Sequence, residues 1–162
     1  MDMVTPIFAP LDIERLANVP PVTLRGWRHR DLLRGFGQEQ DNGRWLYSGH
    51  EVLSMAIGNE LAKAGIDLRY GFWMGWEMGL SVIFVVTGRN ESFYRGTCTF
   101  WTMKAGNPIE DRSGSELQWK DFGTVSEIEA GANATAAFLI NPIALAAQLS
   151  DEFKQYMRGN AD

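Results

Sequence analysis

The sequence has few residues that could form a disulfide or a metal site: among 162 residues there are one cysteine, Cys98, and two histidines. A single cysteine excludes an intramolecular disulfide and leaves no second thiolate for a zinc site, and neither His29 nor His50 has a partner at ligand spacing. No run of about 18 apolar residues occurs, and the N-terminus lacks the basic and then apolar pattern of a secretion signal. We therefore expect a cytoplasmic protein with no metal, no other cofactor and no membrane partner.

The sequence also lacks the motifs of common catalytic sites. It has no Gly-rich phosphate loop followed by Lys-Ser or Lys-Thr, no nucleophile elbow and no His-Glu-x-x-His motif. The carboxylate pairs Glu110-Asp111 and Glu127/Glu129 lie in polar, loop-like segments, where solvated surface charge is the simpler interpretation. We therefore predict that the chain has no catalytic residues and is not an enzyme.

Positive charge is concentrated in one short part of an acidic chain. The formal net charge of −5 argues against a protein that coats nucleic acid nonspecifically. Residues 21–47, however, carry five arginines against three acidic side chains. This local excess of positive charge is compatible with specific DNA binding. Two copies would have to act together, because one short helix contacts few base pairs.

Two short helices separated by a tight turn are predicted at the start of the chain. The first carries Leu11 and Leu16 on its apolar face and ends near Asn18, and the second begins near Pro21, since proline suits the first turn of a helix. This layout is that of a helix-turn-helix. In the second helix Leu24 and Trp27 share one face, which predicts that they pack on a core.

The arginines of the second helix lie on a different face from its apolar residues. Arg25 and Arg28 are three residues apart, and Arg30 extends the charge. Arginine offers forked donors to phosphate oxygens and to guanine edges, so we expect Arg25 and Arg28 to face the major groove or its phosphates. An ordinary solvated helix face is the alternative interpretation.

A β-hairpin is predicted around Asp41-Asn42-Gly43, because Asn-Gly accepts the positive φ angles of a two-residue turn. On its second strand we expect Leu46 to be buried, Tyr47 to be partly exposed near DNA, and Arg44 to contact phosphate or the minor groove. Ser48 and Glu51 then match a capping box that opens a helix running to about residue 64, and Asp67 caps the next helix.

These elements together resemble the DNA-binding domain of the MerR-type winged-helix family over residues 7–70. The matching segments are Ile-Glu-Arg-Leu-Ala-Asn-Val at 13–19, Thr-Leu-Arg-Gly-Trp at 23–27, Asp-Leu-Leu at 31–33, Asn-Gly-Arg-Trp-Leu-Tyr-Ser at 42–48 and Lys-Ala-Gly-Ile-Asp-Leu at 63–68. Asn18 stands where the family commonly has glycine, and Gly26 where it commonly has an aromatic residue. The resemblance implies binding of double-stranded DNA. The residues expected to contact it are Thr23, Arg25, Arg28, His29, Arg30, Arg44 and Tyr47.

The second half of the chain does not continue into the long dimerising coiled coil common in that family, because no heptad pattern is sustained. Residues 81–86, 94–103, 117–122 and 134–140 instead predict strands, and residues 142–157 predict a C-terminal helix. We therefore expect an α+β chain with a winged helix-turn-helix domain over 1–78. A small antiparallel-sheet-plus-helix domain over 79–162 is expected to serve in dimerisation or ligand sensing.

The function expected from the sequence is that of a dimeric, sequence-specific DNA-binding transcriptional regulator. Two alternatives stay open: a mobile-element or phage DNA-binding module, excisionase-like or acting in packaging initiation, and a ligand-binding or interaction protein that has lost DNA binding. Aromatic residues of the second half could line a pocket for a small-molecule effector, although core packing and dimer burial are the default interpretation. Those residues are Phe72, Trp73, Trp76, Phe93, Phe100, Trp101 and Trp119.

Overall fold

Helices and two small antiparallel sheets make up the computed structural model, which describes residues 2–88, 98–103, 117–122 and 136–159. The fold is therefore of the α+β class, with helix predominating. The helices are α1 (Pro10–Ala17), α2 (Pro21–His29), α3 (Gly49–Lys63), α4 (Leu68–Thr87), α5 (Pro142–Gln148) and α6 (Asp151–Gly159). The strands are β1 (Gln38–Glu39), β2 (Trp45–Leu46), β3 (Cys98–Met103), β4 (Leu117–Phe122) and β5 (Ala136–Ile140).

The second sheet confirms three of the strands expected in the second half. It has the order β4-β3-β5 with both pairs antiparallel, and Trp101 of β3 stands opposite Trp119 and Phe138. Strand β4 has the predicted bounds. Residues 94–97 and 134–135, which the sequence also assigned to strands, lie outside the described residues.

The strand predicted over residues 81–86 is wrong, because these residues form the last turns of α4. A short β-branched run fits a buried helix as well as a buried strand, so the residues alone do not decide between them. Val82, Ile83 and Val86 are all buried within the common core, which is why helical packing prevails here over the strand preference of their side chains.

A seam of small residues brings α3 and α4 into close antiparallel contact. Gly71, Gly75 and Gly79 recur every four residues on α4 and therefore line one face. A Cβ atom at Gly71 would lie 2.9 Å from the carbonyl oxygen of Gly58, and one at Gly75 would overlap the carbonyl oxygen of Ser54. The seam thus fixes α3 against α4.

The C-terminal region forms two helices where the sequence predicted one. The break falls at Leu149 and Ser150, and the Ser150 hydroxyl accepts a hydrogen bond from the Phe153 backbone N–H at 3.2 Å. Leu149 and Phe153 are buried, and the Phe153 ring meets Phe8 edge to face with centroids 6.4 Å apart. The C-terminal helices, which belong to the region expected to serve in dimerisation or ligand sensing, therefore pack partly against the chain itself.

The predicted division between residues 78 and 79 falls inside α4, so no break in the backbone marks it. Residues from both sides of it, among them Ile13 and Met157, belong to one cluster of buried side chains. The division itself stays a prediction. Within the described part of the chain, no helix combines the length and apolar character needed to cross a membrane.

Candidate nucleic-acid interface

The α1–α2 corner forms as the sequence predicts. Asn18 ends α1 in the left-handed conformation with φ 53°, and its N–H donates to the Glu14 carbonyl oxygen. Helix α2 starts at Pro21. Leu24 and Trp27 are each only 3% exposed, and the Trp27 ring contacts Phe72 of α4 edge to face, with centroids 4.8 Å apart. One face of α2 is therefore anchored in the core.

The opposite face of α2 is exposed and positively charged. Val22, Arg25 and His29 are exposed, and they are spaced so that they lie above one another on the helix. Among the described residues, no hydrogen bond or ion pair involves the Arg25 side chain. Arg30, at the end of the helix, is also exposed and donates from Nε to the Gly26 carbonyl oxygen at 3.3 Å. Thr23 is half-buried.

The predicted hairpin is present, but its turn differs from the two-residue turn expected. The Gly43 N–H donates to the Gln40 carbonyl oxygen, and the Gln40 N–H donates to the Arg44 carbonyl oxygen. Only Gly43 has a positive φ, of 74°, while Asn42 does not. This is a three-residue loop, a type I turn followed by a left-handed glycine. Arg44 therefore follows the tip and is exposed.

Arg28 lies between α2 and the hairpin. Its Nη2 donates to the Phe36 carbonyl oxygen and to the Tyr47 hydroxyl, both at 2.9 Å. The guanidinium also stacks over the Trp45 ring, 3.5 Å from the centroid. All three partners are uncharged, so Arg28 holds the hairpin against α2 while its positive charge stays uncompensated by these contacts. The geometry gives Arg28 a positioning role that the sequence did not indicate.

Tyr47 is only 1% exposed, so its expected partial exposure near DNA is wrong, and Leu46, expected to be buried, is half-buried. The reason is a contact distant in sequence: Tyr47 bridges to Phe8 as an isolated antiparallel pair, which turns its ring inward over Gly37. Burial raises the pKa of the Tyr47 phenol, and the hydrogen bond from Arg28 opposes part of that rise.

Glu51 ties the hairpin to α3. One carboxylate oxygen accepts from the Ser48 N–H, which completes the predicted capping box with the Ser48 hydroxyl and the Glu51 N–H. The other oxygen accepts from the Gly37 N–H at 2.7 Å. The capping signal predicted the first contact, but the second joins residues 14 apart in sequence and had no local signal.

The structure therefore sorts the seven predicted DNA-contacting residues into two groups. Arg25, His29, Arg30 and Arg44 are exposed, and Thr23 is half-buried beside them. Arg28 and Tyr47 face each other across the joint between α2 and the hairpin. The first group can meet a partner directly, whereas Tyr47 is buried and the half-buried Arg28 is engaged with the hairpin.

A cleft among the described residues differs from the effector pocket that the aromatic residues predicted. A cleft of about 190 Å³ opens between α1, α3 and α5, lined among others by Arg15, Glu60 and Gln148. None of the aromatic residues expected to line a pocket borders it, and Phe72 is buried in the core. Within the described ranges, no three His, Cys, Asp or Glu side chains cluster as metal ligands would.

Comparison of the sequence with models of known protein families gives no match, and comparison with curated proteins gives none either.

Proposed function

We propose that the chain is a sequence-specific DNA-binding transcriptional regulator of MerR-like type, in which α1, α2 and the β1–β2 hairpin form a winged helix-turn-helix. One observation carries the proposal. Arg25 lies exposed and without a partner among the described residues, on a helix whose opposite face is locked into the core. A rigid helix with an available guanidinium is what major-groove recognition requires.

In this proposal each exposed basic residue has a definite role. Arg25 enters the major groove, where its forked donors match O6 and N7 of guanine. Thr23, near the start of α2, donates to a phosphate, and His29 and Arg30 face the backbone at the other end of the helix. Arg44, just after the hairpin tip, contacts phosphate or the minor groove.

Arg28 and Tyr47 support binding indirectly. The two hydrogen bonds and the stacking contact of Arg28 fix the angle between α2 and the hairpin. Helix α2 and the hairpin must contact one duplex at the same time. A change in the angle between them would therefore move Arg44 away from the DNA while α2 is bound. We therefore assign Arg28 and Tyr47 to positioning rather than to base contact.

A dimer is part of the proposal because one helix and one hairpin contact too few base pairs for selective binding. Two copies related by a two-fold axis would bind a pseudo-palindromic site. The net charge of −5 disfavours binding by nonspecific charge alone and is compatible with selective binding by two copies.

Fluorescence anisotropy with a random-sequence duplex over a salt series tests the proposal. The wild-type chain is expected to bind with a salt-dependent affinity, and R25A and R44A are each expected to bind more weakly. The matched control is R69A, because Arg69 is also an exposed arginine but lies at the start of α4. Absence of binding by the wild type at low salt, or equal weakening by R69A, would contradict the proposal.

A further inference from the structure

The exposed face of α2 contains one apolar side chain that packing does not explain. Val22 is 66% exposed, whereas Leu24 and Trp27, the other large apolar residues of the helix, are each 3% exposed. Val22 lies three residues before Arg25 and four before Gly26, so the three share one stripe along the helix, which His29 extends. An exposed valine at this position is explained if the surface of a binding partner covers its side chain.

Gly26, in the middle of the same stripe, also lacks a structural reason. Its φ is not positive, so alanine would fit its backbone conformation. Within the described part of the chain, a Cβ atom at Gly26 would meet no atom within 4 Å. Glycine nevertheless lowers helix propensity relative to alanine. Gly26 is half-buried, and a backbone that carries no side chain on this stripe is what a closely approaching partner surface requires.

We infer that Val22 reads the C5-methyl group of a thymine in the major groove and that Gly26 lets the α2 backbone approach the bases closely. This inference rests on the proposed function and names the sequence feature that the site prefers. The thymine methyl is the one apolar group that base pairs present in the major groove, and aliphatic side chains contact it there. The positive charge of Arg25 beside Val22 favours a polyanionic duplex over an apolar protein partner.

The spacing of the two side chains predicts the spacing of the two bases. Three residues along a helix correspond to about 4.5 Å of axial rise. Successive base pairs are about 3.4 Å apart along one strand. Val22 and Arg25 therefore reach neighbouring or next-neighbouring base pairs, so each half-site is expected to contain a thymine within about two base pairs of a guanine.

The experiment uses duplexes that the full-length wild-type chain enriches from a random pool. Each thymine of the enriched half-site is replaced singly by deoxyuridine, which removes only the methyl group. Wild-type affinity is expected to fall about fourfold at one thymine, equivalent to about 0.8 kcal/mol for one buried methyl group. V22A is expected to bind the thymine and deoxyuridine duplexes equally at that position.

V4A is the matched control, since Val4 is 72% exposed but lies outside α2, and it should keep the methyl sensitivity of the wild type. G26A should fold at least as stably as the wild type yet bind the enriched duplex at least about tenfold more weakly. Three outcomes would overturn the inference but not the proposed function. They are an enriched site at which removing a thymine methyl group never changes affinity, a V22A variant that keeps the methyl sensitivity, and a G26A variant that binds as tightly as the wild type. Failure of the wild type to enrich any site would overturn the proposed function with it.

Discussion

The guanidinium carbon of Arg28 lies 3.5 Å from the centroid of the Trp45 ring. This contact joins the last turn of α2 to the second strand of the hairpin, and the two hydrogen bonds of Arg28 reinforce it. The Gly37–Glu51 hydrogen bond and the pairing of Tyr47 with Phe8 hold the hairpin to other elements, so Arg28 is the side chain that sets its position relative to α2.

Replacing Arg28 by alanine should lower the free energy of unfolding by about 2–3 kcal/mol, since two charge-assisted hydrogen bonds and one cation–π contact are lost. Urea unfolding measures this, with R30A as the control, because Arg30 is exposed and should change stability by less than about 0.5 kcal/mol. R28A should also weaken binding to all duplexes alike. Undiminished stability of R28A, or loss of preference at a single base, would contradict the positioning role.

Replacing Tyr47 by phenylalanine should cost about 1–2 kcal/mol near neutral pH, because Arg28 loses a buried acceptor. The raised pKa of Tyr47 adds a pH dependence. Its stabilising contribution is fully present below the unfolded-state pKa of about 10 and is lost as pH rises through the higher folded-state pKa. Chemical unfolding from about pH 8 to about pH 11 should therefore show the wild type approaching Y47F at the alkaline end. A constant difference between the two proteins would count against this assignment.

Removing the side chain of Arg44 should affect affinity without affecting the fold. Arg44 is exposed and only its backbone takes part in the hairpin, so R44A should unfold like the wild type. Its affinity should fall about equally for different duplexes, and the salt dependence should decrease by about one unit of slope. A changed base preference at an unchanged salt slope would indicate that Arg44 reads bases instead.

Alanine at Gly75 should destabilise the chain by about 2–3 kcal/mol, since the added Cβ would overlap the Ser54 carbonyl oxygen in the α3–α4 seam. G26A is the control for glycine in a helix, because it adds a methyl group where none of the described residues comes within 4 Å. It should be as stable as the wild type or more stable by up to about 1 kcal/mol. Equal stability of the two variants would mean that the helices do not approach as closely as described.

Sequence reasoning succeeded where the signal is local. Proline at the start of α2, the Ser48–Glu51 capping box and the Asp67 cap each act within a few residues, so they set helix boundaries almost independently of the rest of the fold. The apolar spacing of Leu24 and Trp27 likewise identified the buried face of α2.

Sequence reasoning failed where contacts distant in sequence decide the outcome. The β-branched character of residues 81–86 predicts a strand, but these residues end α4, whose Gly71, Gly75 and Gly79 lie against α3. The predicted partial exposure of Tyr47 is wrong because the alternation of side chains along the second hairpin strand does not reveal the bridge from Tyr47 to Phe8. The partners of Arg28 are up to 19 residues away, so its role could not be seen in α2 alone.

Dimerisation is expected although Leu149 and Phe153 pack within the chain. Selective DNA binding needs two copies, and Trp76 and Leu80 of α4, which are 41% and 52% exposed, remain available to a partner. Sedimentation equilibrium at tens of micromolar should give twice the mass of one chain. The mass of a single chain at that concentration would contradict the dimer.

Enrichment of duplexes from a random-sequence pool by the full-length chain, followed by sequencing, tests the central claim most directly. The wild type should enrich a common site with two related half-sites, R69A should enrich the same site, and R25A should lose the enrichment or relax it at one position of each half-site. If the duplexes recovered with the wild type are as random in sequence as those recovered with R25A, sequence-specific DNA binding by α2 is contradicted.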